Sequence, residues 1–280
     1  MSDIKKVKFP NGISVPALGQ GTWYMGESSV AAASEVKALQ LGIDLGMTLI
    51  DTAEMYASGG SEKIVGRAIA GRRDQVFLVS KVLPSNASKR GTAAACEASL
   101  RRMNTDYLDL YLYHWRGGYG FDESIEALER LVDQGKIRHW GVSNLDTDDM
   151  EEWVAEANGD RVQTNQLLYN LTRRGIEYDL LPWCAERRIP IMAYSPIEQG
   201  RLLRHPALNK VAQRHGVSAA QIALAWVMRR PDVIAIPKAA TEAHVRDNRA
   251  SVDVVLNDVD LRELDAAFPA PTRKQSLEML

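Results

Sequence analysis

The sequence predicts an α/β protein, a (β/α)8 TIM barrel with an N-terminal β-hairpin. Apolar runs of strand length recur with a spacing of about thirty residues, and helical patterns lie between them. Three successive runs end in an ionisable residue, which is where a barrel of this kind carries its active site. The alternative is an open doubly wound sheet, which shows the same alternation but reverses its strand order.

The predicted hairpin spans residues 4–15. The segment 6–9 alternates between charged and apolar residues, Asn11-Gly12 supplies the turn, and residues 13–15 form the returning strand. The barrel strands are then expected near residues 17–20, 48–51, 76–81, 107–113, 138–142, 162–165, 190–194 and 233–236.

Helical periodicity fills the connections between these strands. Residues 122–134 carry an apolar face that ends at Gly135, and residues 218–230 begin at Ser218, a residue type that favours helix N-termini. Asp146 is predicted to cap another helix. The connection after the seventh strand is longer than the others and has room for an extra helix.

Composition indicates a single globular domain over residues 1–280. The chain is 45% hydrophobic and has a net charge of −2, which gives no electrostatic reason to expect nucleic acid or a membrane surface as a partner. Its two cysteines, Cys96 and Cys184, favour neither a disulfide framework nor a metal site. The N-terminus lacks the apolar segment of a signal peptide, so we expect a cytoplasmic protein.

The candidate catalytic residues follow three neighbouring strands. Asp51, Lys81 and His114 stand where apolar runs end, and Tyr56 comes five residues after Asp51. Each residue alone has an ordinary explanation as a turn former, a packed ring or a solvated charge. Because the carboxyl ends of parallel strands share one rim, their common placement predicts that the four side chains converge.

This combination suits the protonation of a carbonyl oxygen that is gaining negative charge. A tyrosine ordinarily has a pKa near ~10, and a neighbouring ammonium is expected to lower it. A carboxylate would keep that ammonium charged and in place. An imidazole can donate a hydrogen bond to the substrate oxygen, so the set predicts carbonyl reduction.

Together these residues resemble the catalytic tetrad of the aldo-keto reductases, and the resemblance extends over nearly the whole chain. The segments 19–23, 141–144, 164–166, 193–196 and 236–238 are similar to strand ends of that family, in the same order. The segments 21–26 and 269–271 are most similar to bacterial members that reduce methylglyoxal and similar small carbonyls.

The resemblance implies a nicotinamide cofactor, NADPH, with NADH possible but less favoured. The Gly-x-Gly-x-x-Gly fingerprint is absent because Tyr24 follows Gly19 and Gly21, so no Rossmann-type site is expected. In the family's pattern Ser143, Asn144 and Gln166 bind the carboxamide and Tyr194 stacks on the nicotinamide ring. The other implied cofactor residues are Gly21, Thr22, Trp23, Asp51, Ser195, Pro196, Ile197, Gln199, Ile236, Pro237, Lys238, Ala239, Ala240, Thr241, His244, Asp247 and Asn248.

The adenosine end of this implied site departs from the family at one position. Lys238 and Thr241 match residues that bind the 2′-phosphate, and Thr241 is also expected to cap a helix whose N-terminus favours anions. The family commonly has arginine where this chain has His244. Imidazole cannot form the two-pronged contact of a guanidinium, so discrimination against NADH is expected to be weaker.

The predicted substrate pocket is apolar and contains no metal. Its walls are expected to be Trp23, Tyr24, Met55, Tyr56, His114 and Trp115. The loop 115–121 and the tail after Phe268 are short, which favours an open rim and broad use of small aldehydes. No helix shows a spare apolar face, so we expect a monomer.

Two other functions remain open from sequence alone. A regulatory subunit could bind the same nicotinamide cofactor with little turnover, as channel-associated members of the family do. An unrelated barrel isomerase or aldolase could use Lys81 as a Schiff base, although Asp51 and Tyr56 would then have no role.

Overall fold

Eight parallel strands form a barrel in the computed structural model, which describes residues 2–280. An antiparallel hairpin precedes them, with β1 at Lys6–Lys8 and β2 at Ser14–Pro16. The barrel strands are β3 (Gln20–Gly21), β4 (Leu49–Asp51), β5 (Phe77–Val82), β6 (Leu108–Tyr113), β7 (Ile137–Ser143), β8 (Asn165–Leu168), β9 (Ile191–Tyr194) and β10 (Val233–Ala235). The predicted fold is therefore confirmed.

Closure of the barrel joins its first and last strands. Each strand pairs in parallel with its neighbour in sequence from β3 to β10. Bridges from Leu18 to Ala235 and from Gly21 to Lys238 then close the ring. Side chains at Gly19 or Gly21 would not fit here, since a Cβ on Gly21 would lie 2.6 Å from the carbonyl oxygen of Ile236.

The helices surround this barrel and follow the strands in turn. They are α1 (Ala32–Asp44), α2 (Gly60–Ile69), α3 (Lys89–Met103), α4 (Phe121–Asp133), α5 (Thr147–Ala155), α6 (Leu180–Glu186), α7 (Pro206–His215), α8 (Ala219–Val227), α9 (Glu242–Ala250) and α10 (Asp258–Ala267). The long connection after β9 contains α7 and α8, as predicted. Among residues 2–280, no helix combines the length and the apolar character needed to cross a bilayer.

The hairpin contributes to the core inside the barrel. Its buried residues Val7, Phe9 and Val15 belong to the same apolar cluster as inward-facing residues of the strands, among them Leu110 and Met192. A second and larger cluster fills the space between the strands and the helices. The two clusters leave the carboxyl ends of the strands free for polar groups.

Two barrel strands begin three residues later than predicted: β3 begins at Gln20 instead of residue 17, and β8 at Asn165 instead of residue 162. The apolar pattern placed the sixth barrel strand at residues 162–165, whereas β8 begins at Asn165 and ends at Leu168. Asn165 and Gln166 are polar but fully or nearly fully buried within the strand. They fit because their amides donate to the carbonyl oxygen of Leu145 and to the carboxylate of Asp51.

Helix capping follows the sequence. Asp146 begins α5 in a reciprocal capping box with Asp149, and Ser218 accepts a hydrogen bond from the amide of Gln221 at the start of α8. Thr241 caps α9 by accepting from the amide of His244 at 3.4 Å. These caps fix where the helices that border the carboxyl end of the barrel begin.

Candidate active site

Lys81 lies at the centre of the converging residues. It is fully buried on β5, and its ammonium donates to Asp51 Oδ2 at 2.8 Å, to the carbonyl oxygen of Thr52 at 2.8 Å and to the Tyr56 hydroxyl at 3.1 Å. All three ammonium protons therefore have acceptors. Desolvation acts against the charge, but Asp51 and Tyr56 outweigh it and raise the pKa of Lys81.

The Tyr56 hydroxyl is a buried and protonated acid. Burial raises the pKa of Tyr56, and this effect exceeds the lowering by Lys81. Lys81 lowers this pKa, as expected, but burial outweighs it and the net shift is upward. Since Tyr56 already accepts from Lys81, its own proton is available to an oxygen in the adjoining cavity.

His114 completes the set as a neutral imidazole. Burial lowers the pKa of His114 well below its ordinary value, and the charge of Lys81 acts in the same direction. The His114 ring meets the Tyr56 ring edge-on, with 6.2 Å between centroids. Its Nδ1 is buried without a hydrogen-bond partner among residues 2–280. The four predicted residues are thus brought together.

Three hydroxyl groups hold the loops that carry Asp51 and Tyr56. Ser61 Oγ at the start of α2 lies 2.7 Å from Thr22 Oγ1 and 3.0 Å from Thr52 Oγ1. Thr22 Oγ1 also donates to the carbonyl oxygen of Asp51 at 2.9 Å. The hydroxyl of Thr22 is therefore used within the protein, although Thr22 lines the groove described next.

A groove of about 700 Å³ crosses the mouth of the barrel from the tetrad to α9. Fifteen of the predicted cofactor residues line it: Gly21, Thr22, Trp23, Asp51, Tyr194, Ser195, Pro196, Ile197, Gln199, Ile236, Pro237, Lys238, His244, Asp247 and Asn248. Ala239, Ala240 and Thr241 do not line it. Thr241 caps α9, and the carbonyl oxygen of Ala240 accepts from Ser34.

Ser143, Asn144 and Gln166 line a second cavity of about 190 Å³ on the other side of Tyr56. Tyr194 donates to Asn144 Oδ1 at 3.0 Å, and Asn144 Nδ2 donates to Ser143 Oγ at 3.0 Å. Ser143 Oγ in turn donates to the carbonyl oxygen of Gln166. The Gln166 amide donates to Asp51 Oδ1 at 2.7 Å, so the predicted carboxamide site and the tetrad form one hydrogen-bond network.

Five of the six predicted pocket residues line this smaller cavity: Trp23, Met55, Tyr56, His114 and Trp115. Tyr24 does not. It lines the groove instead, half-exposed and stacked on Trp23 with 5.3 Å between ring centroids. The physical reason is its left-handed backbone, with φ of 66°, which turns the chain after Trp23.

The C-terminal tail forms part of the wall of the same cavity. Met279 and Leu280 line the cavity together with Trp23 and Trp115. Burial raises the pKa of the Tyr194 hydroxyl, while a hydrogen bond from the backbone amide of Leu280 acts against that rise. The tail is short, but it folds back onto the barrel.

The aldo/keto reductase family model matches residues 17–268. The chain belongs to the aldo/keto reductase family. It is 56% identical to the methylglyoxal reductase YeaE of Escherichia coli over 99% of both chains. It is 34% identical to a glyoxal reductase of Bacillus subtilis over 93% of this chain and 91% of that one.

Solved structures agree with this assignment. An aldo/keto reductase from Klebsiella pneumoniae, crystallised with NADP and acetate, superposes with a TM-score of 0.97. It is 53% identical and covers 99% of this chain and all of its own. The protein is therefore an oxidoreductase by family.

The groove of this aldo/keto reductase fits an extended dinucleotide that carries phosphates. The N-termini of α8 and α9 border it through Ser218, Ala219 and His244, and free amide groups at helix N-termini favour anions. Lys238 lies on the same wall and forms no ion pair with any residue from 2 to 280. The donors near α9 are therefore suited to a phosphate.

The sequence did not predict every residue that lines the groove and the smaller cavity. Gly200, Leu203, Ala219 and Ala220 line the groove, and Met279 and Leu280 line the smaller cavity. The predicted cap at Ser218 was a usable signal for the start of α8. Nothing in the local pattern of the tail indicates that it returns to the barrel mouth.

Proposed function

We propose that this aldo/keto reductase uses NADPH to reduce small aldehydes and ketones, with methylglyoxal-like carbonyls as its substrates. The similarity to relatives named methylglyoxal reductase and glyoxal reductase supports the substrate class. The similarity to structures crystallised with NADP or NADPH supports the cofactor.

One observation supports this function above the others. The buried Asp51–Lys81–Tyr56 chain lies where the long groove and the small cavity meet, and Tyr56 lines both. A cofactor in the groove and a carbonyl in the cavity would therefore meet at the Tyr56 hydroxyl. The cavity of about 190 Å³ favours a small carbonyl.

NADPH, when bound, supplies the hydride of the reduction. Tyr56 donates its proton to the substrate oxygen as negative charge develops there. Lys81, at 3.1 Å, stabilises the phenolate that remains, and Asp51 holds Lys81 charged and in place. Neutral His114 donates a hydrogen bond that orients the same oxygen.

The groove residues described above would hold the cofactor. The nicotinamide end would reach from the groove into the smaller cavity, where we assign the carboxamide to Ser143, Asn144 and Gln166 and the ring face to Tyr194, which lines both spaces. Lys238 and His244 would face the 2′-phosphate, whereas Asp247 and Asn248 would face the adenine. Asp247 is already held by Ser218 and Gln221, which fixes its carboxylate at the edge of the groove.

We further propose that residues 1–280 form one barrel domain that works as a monomer in the cytoplasm. The family match over residues 17–268 and the closed ring of strands support one domain. The even balance of 34 basic and 36 acidic residues gives no surface charge that favours a polyanionic partner.

The test follows NADPH absorbance with purified protein and a panel of small aldehydes and ketones that includes methylglyoxal. We expect rapid oxidation of NADPH with the smallest carbonyls. Saturable binding without oxidation would instead favour a regulatory subunit. If the protein neither binds nor oxidises NADPH, the proposal is rejected, and an unrelated barrel chemistry remains.

A further inference from the structure

Glu198 lies in a strained loop that lines the long groove. Ser195, Glu198, Gln199 and Gly200 all have left-handed backbones, with φ between 47° and 84°. Three of these residues are not glycine, so the conformation costs free energy that other contacts must offset. The loop faces the groove through Ser195, Gln199 and Gly200.

The contacts that offset this cost converge on the buried carboxylate of Glu198. Asn170 Nδ2 donates to it at 2.8 Å, Arg201 at 3.0 Å and Arg173 at 3.1 Å. Burial alone would raise the pKa of Glu198, but the hydrogen bonds from Arg173 and Asn170 outweigh it and lower the pKa. Asn170 also donates to the carbonyl oxygen of Ser195, so the turn after β8 holds the strained segment at Ser195 and at Glu198.

Arg173 reaches a second carboxylate with the other side of its guanidinium. Its Nη1 donates to Glu278 Oε1 at 2.5 Å. Glu278 belongs to the C-terminal tail and is followed by Met279 and Leu280, which line the substrate-side cavity. A single side chain therefore joins the groove wall to the cavity wall.

The tail has few other attachments. It contains no helix or strand after α10 ends at Ala267. Lys274 lies 3.1 Å from Asp179 Oδ2, and Leu277 packs against the large apolar cluster. Beyond Leu277, the Arg173–Glu278 ion pair holds the end of the tail, whose last two residues line the cavity.

We propose that Arg173 is a positioning residue that couples the cofactor groove to closure of the C-terminal tail over the substrate cavity. The inference rests on the proposed function, because it takes NADPH as the occupant of the groove. An occupied groove restricts the 195–200 loop, which holds Arg173 in the orientation that Glu278 needs. The tail then closes at a smaller cost in conformational entropy.

The experiment measures tail opening by limited trypsin digestion, since Arg273 and Lys274 precede the covering residues. Mass spectrometry follows release of residues 275–280 with and without saturating NADPH, and fluorescence titration measures NADPH binding in the same samples. We expect NADPH to slow the release from the wild type several-fold, within the roughly 5–150-fold range typical of coupled sites.

Two variants locate the coupling. Arg173→Met should still bind NADPH, but the cofactor should no longer slow the release. Glu278→Gln, which is partly exposed and changes only the tail side, should lose the protection, and because coupling is reciprocal its NADPH affinity should fall by no more than the factor by which NADPH slows the release in the wild type. Glu97→Gln removes a similarly exposed ion pair with Lys136 and should behave as the wild type.

Two results would overturn the coupling that we propose for Arg173. Full protection by NADPH in Glu278→Gln would show that the ion pair does not carry the coupling, even if Arg173→Met does not fold. NADPH binding without protection in the wild type would also reject it. Failure of the wild type to bind NADPH would instead reject the proposed function from which the inference starts.

Discussion

Lys81 shows how burial and pairing set the chemistry of single residues. A fully buried ammonium costs several kcal/mol unless charges and hydrogen bonds compensate it. Here the three acceptors supplied by Asp51, Thr52 and Tyr56 do so. A charge buried this deeply at a strand end adds little to stability, and its contact with Tyr56 places it in the proposed reaction.

Tyr56→Phe should remove nearly all reductase activity and leave NADPH affinity unchanged. The variant keeps the ring but loses the proton donor, and such a loss typically costs about 10²–10⁴-fold in rate. The measurement compares kcat/KM for methylglyoxal with the cofactor Kd from fluorescence. A phenylalanine variant of full activity would show that the proton comes from another group.

The rate of reduction should be nearly independent of pH through the neutral range. Burial raises the pKa of Tyr56 and lowers that of His114, so neither group changes its protonation between about pH 6.5 and 10. The fall at high pH should begin only as Tyr56 loses its proton, above the range of an ordinary phenol. The profile of kcat/KM at constant ionic strength tests this, and a step near pH 7 to 8 would contradict it.

Helix α9 borders the groove at its N-terminus, where we propose that the 2′-phosphate binds. Thr241 caps the helix, and His244 is exposed one turn later with Lys238 nearby on the same groove wall. The helix dipole favours a phosphate here. We therefore expect the strength of the proposed phosphate contact to depend on the side chain at position 244.

His244→Arg should tighten NADPH binding by roughly 1–2 kcal/mol. A guanidinium adds charge-assisted hydrogen bonds worth about 1.5–3 kcal/mol each, and the cost of ordering the longer side chain offsets part of this gain. NADH should bind almost unchanged, since it lacks the 2′-phosphate. Fluorescence titration of both cofactors provides the test and its internal control. Equal tightening of the two would place His244 away from the 2′-phosphate.

The contact between α2 and α3 depends on a glycine. A Cβ on Gly66 would lie 2.6–2.8 Å from backbone atoms of Met103, which cannot move aside as a flexible side chain could. Gly66→Ala should therefore destabilise the fold by about 1–3 kcal/mol, although alanine is the better helix former.

Urea unfolding followed by circular dichroism measures this loss. Gly118→Ala is the matched control, since its Cβ would meet no atom within 4 Å. The control should change the free energy of unfolding by less than about 0.5 kcal/mol. A Gly66 variant as stable as the wild type would mean that the two helices separate without cost.

At the scale of the whole molecule, the barrel brings distant segments into one network. Hydrogen bonds run from Tyr194 through Asn144, Ser143 and Gln166 to Asp51. The network thus crosses strands β9, β7, β8 and β4 at a single rim. Arg173 adds the C-terminal tail to the same end of the barrel.

The proposed monomer can be tested directly. Light scattering coupled to size-exclusion chromatography should give the mass of one chain across a hundredfold range of protein concentration. The expectation rests on the sequence, in which no helix shows a spare apolar face that a second copy could cover. A concentration-dependent dimer would reject this expectation.

Sequence reasoning located Asp51, Lys81 and His114 because each stands at the end of an apolar run, and Tyr56 because it follows Asp51 closely. It placed β8 three residues too early, since polar Asn165 and Gln166 do not look like buried strand residues until their partners are known. It also assigned Tyr24 to the wrong cavity, because a left-handed backbone at that position has no signal in the local pattern.

The sequence by itself determined the alternation of eight strands with helices and the common rim at which Asp51, Lys81 and His114 meet. Those features follow from local periodicity and from the fact that parallel strands all end on one side. Only the tertiary structure decided the raised pKa of Tyr56, the bond from Gln166 to Asp51 and the return of the tail to the cavity. Burial depth and contacts between distant segments are properties of the packed chain, and no local pattern contains them.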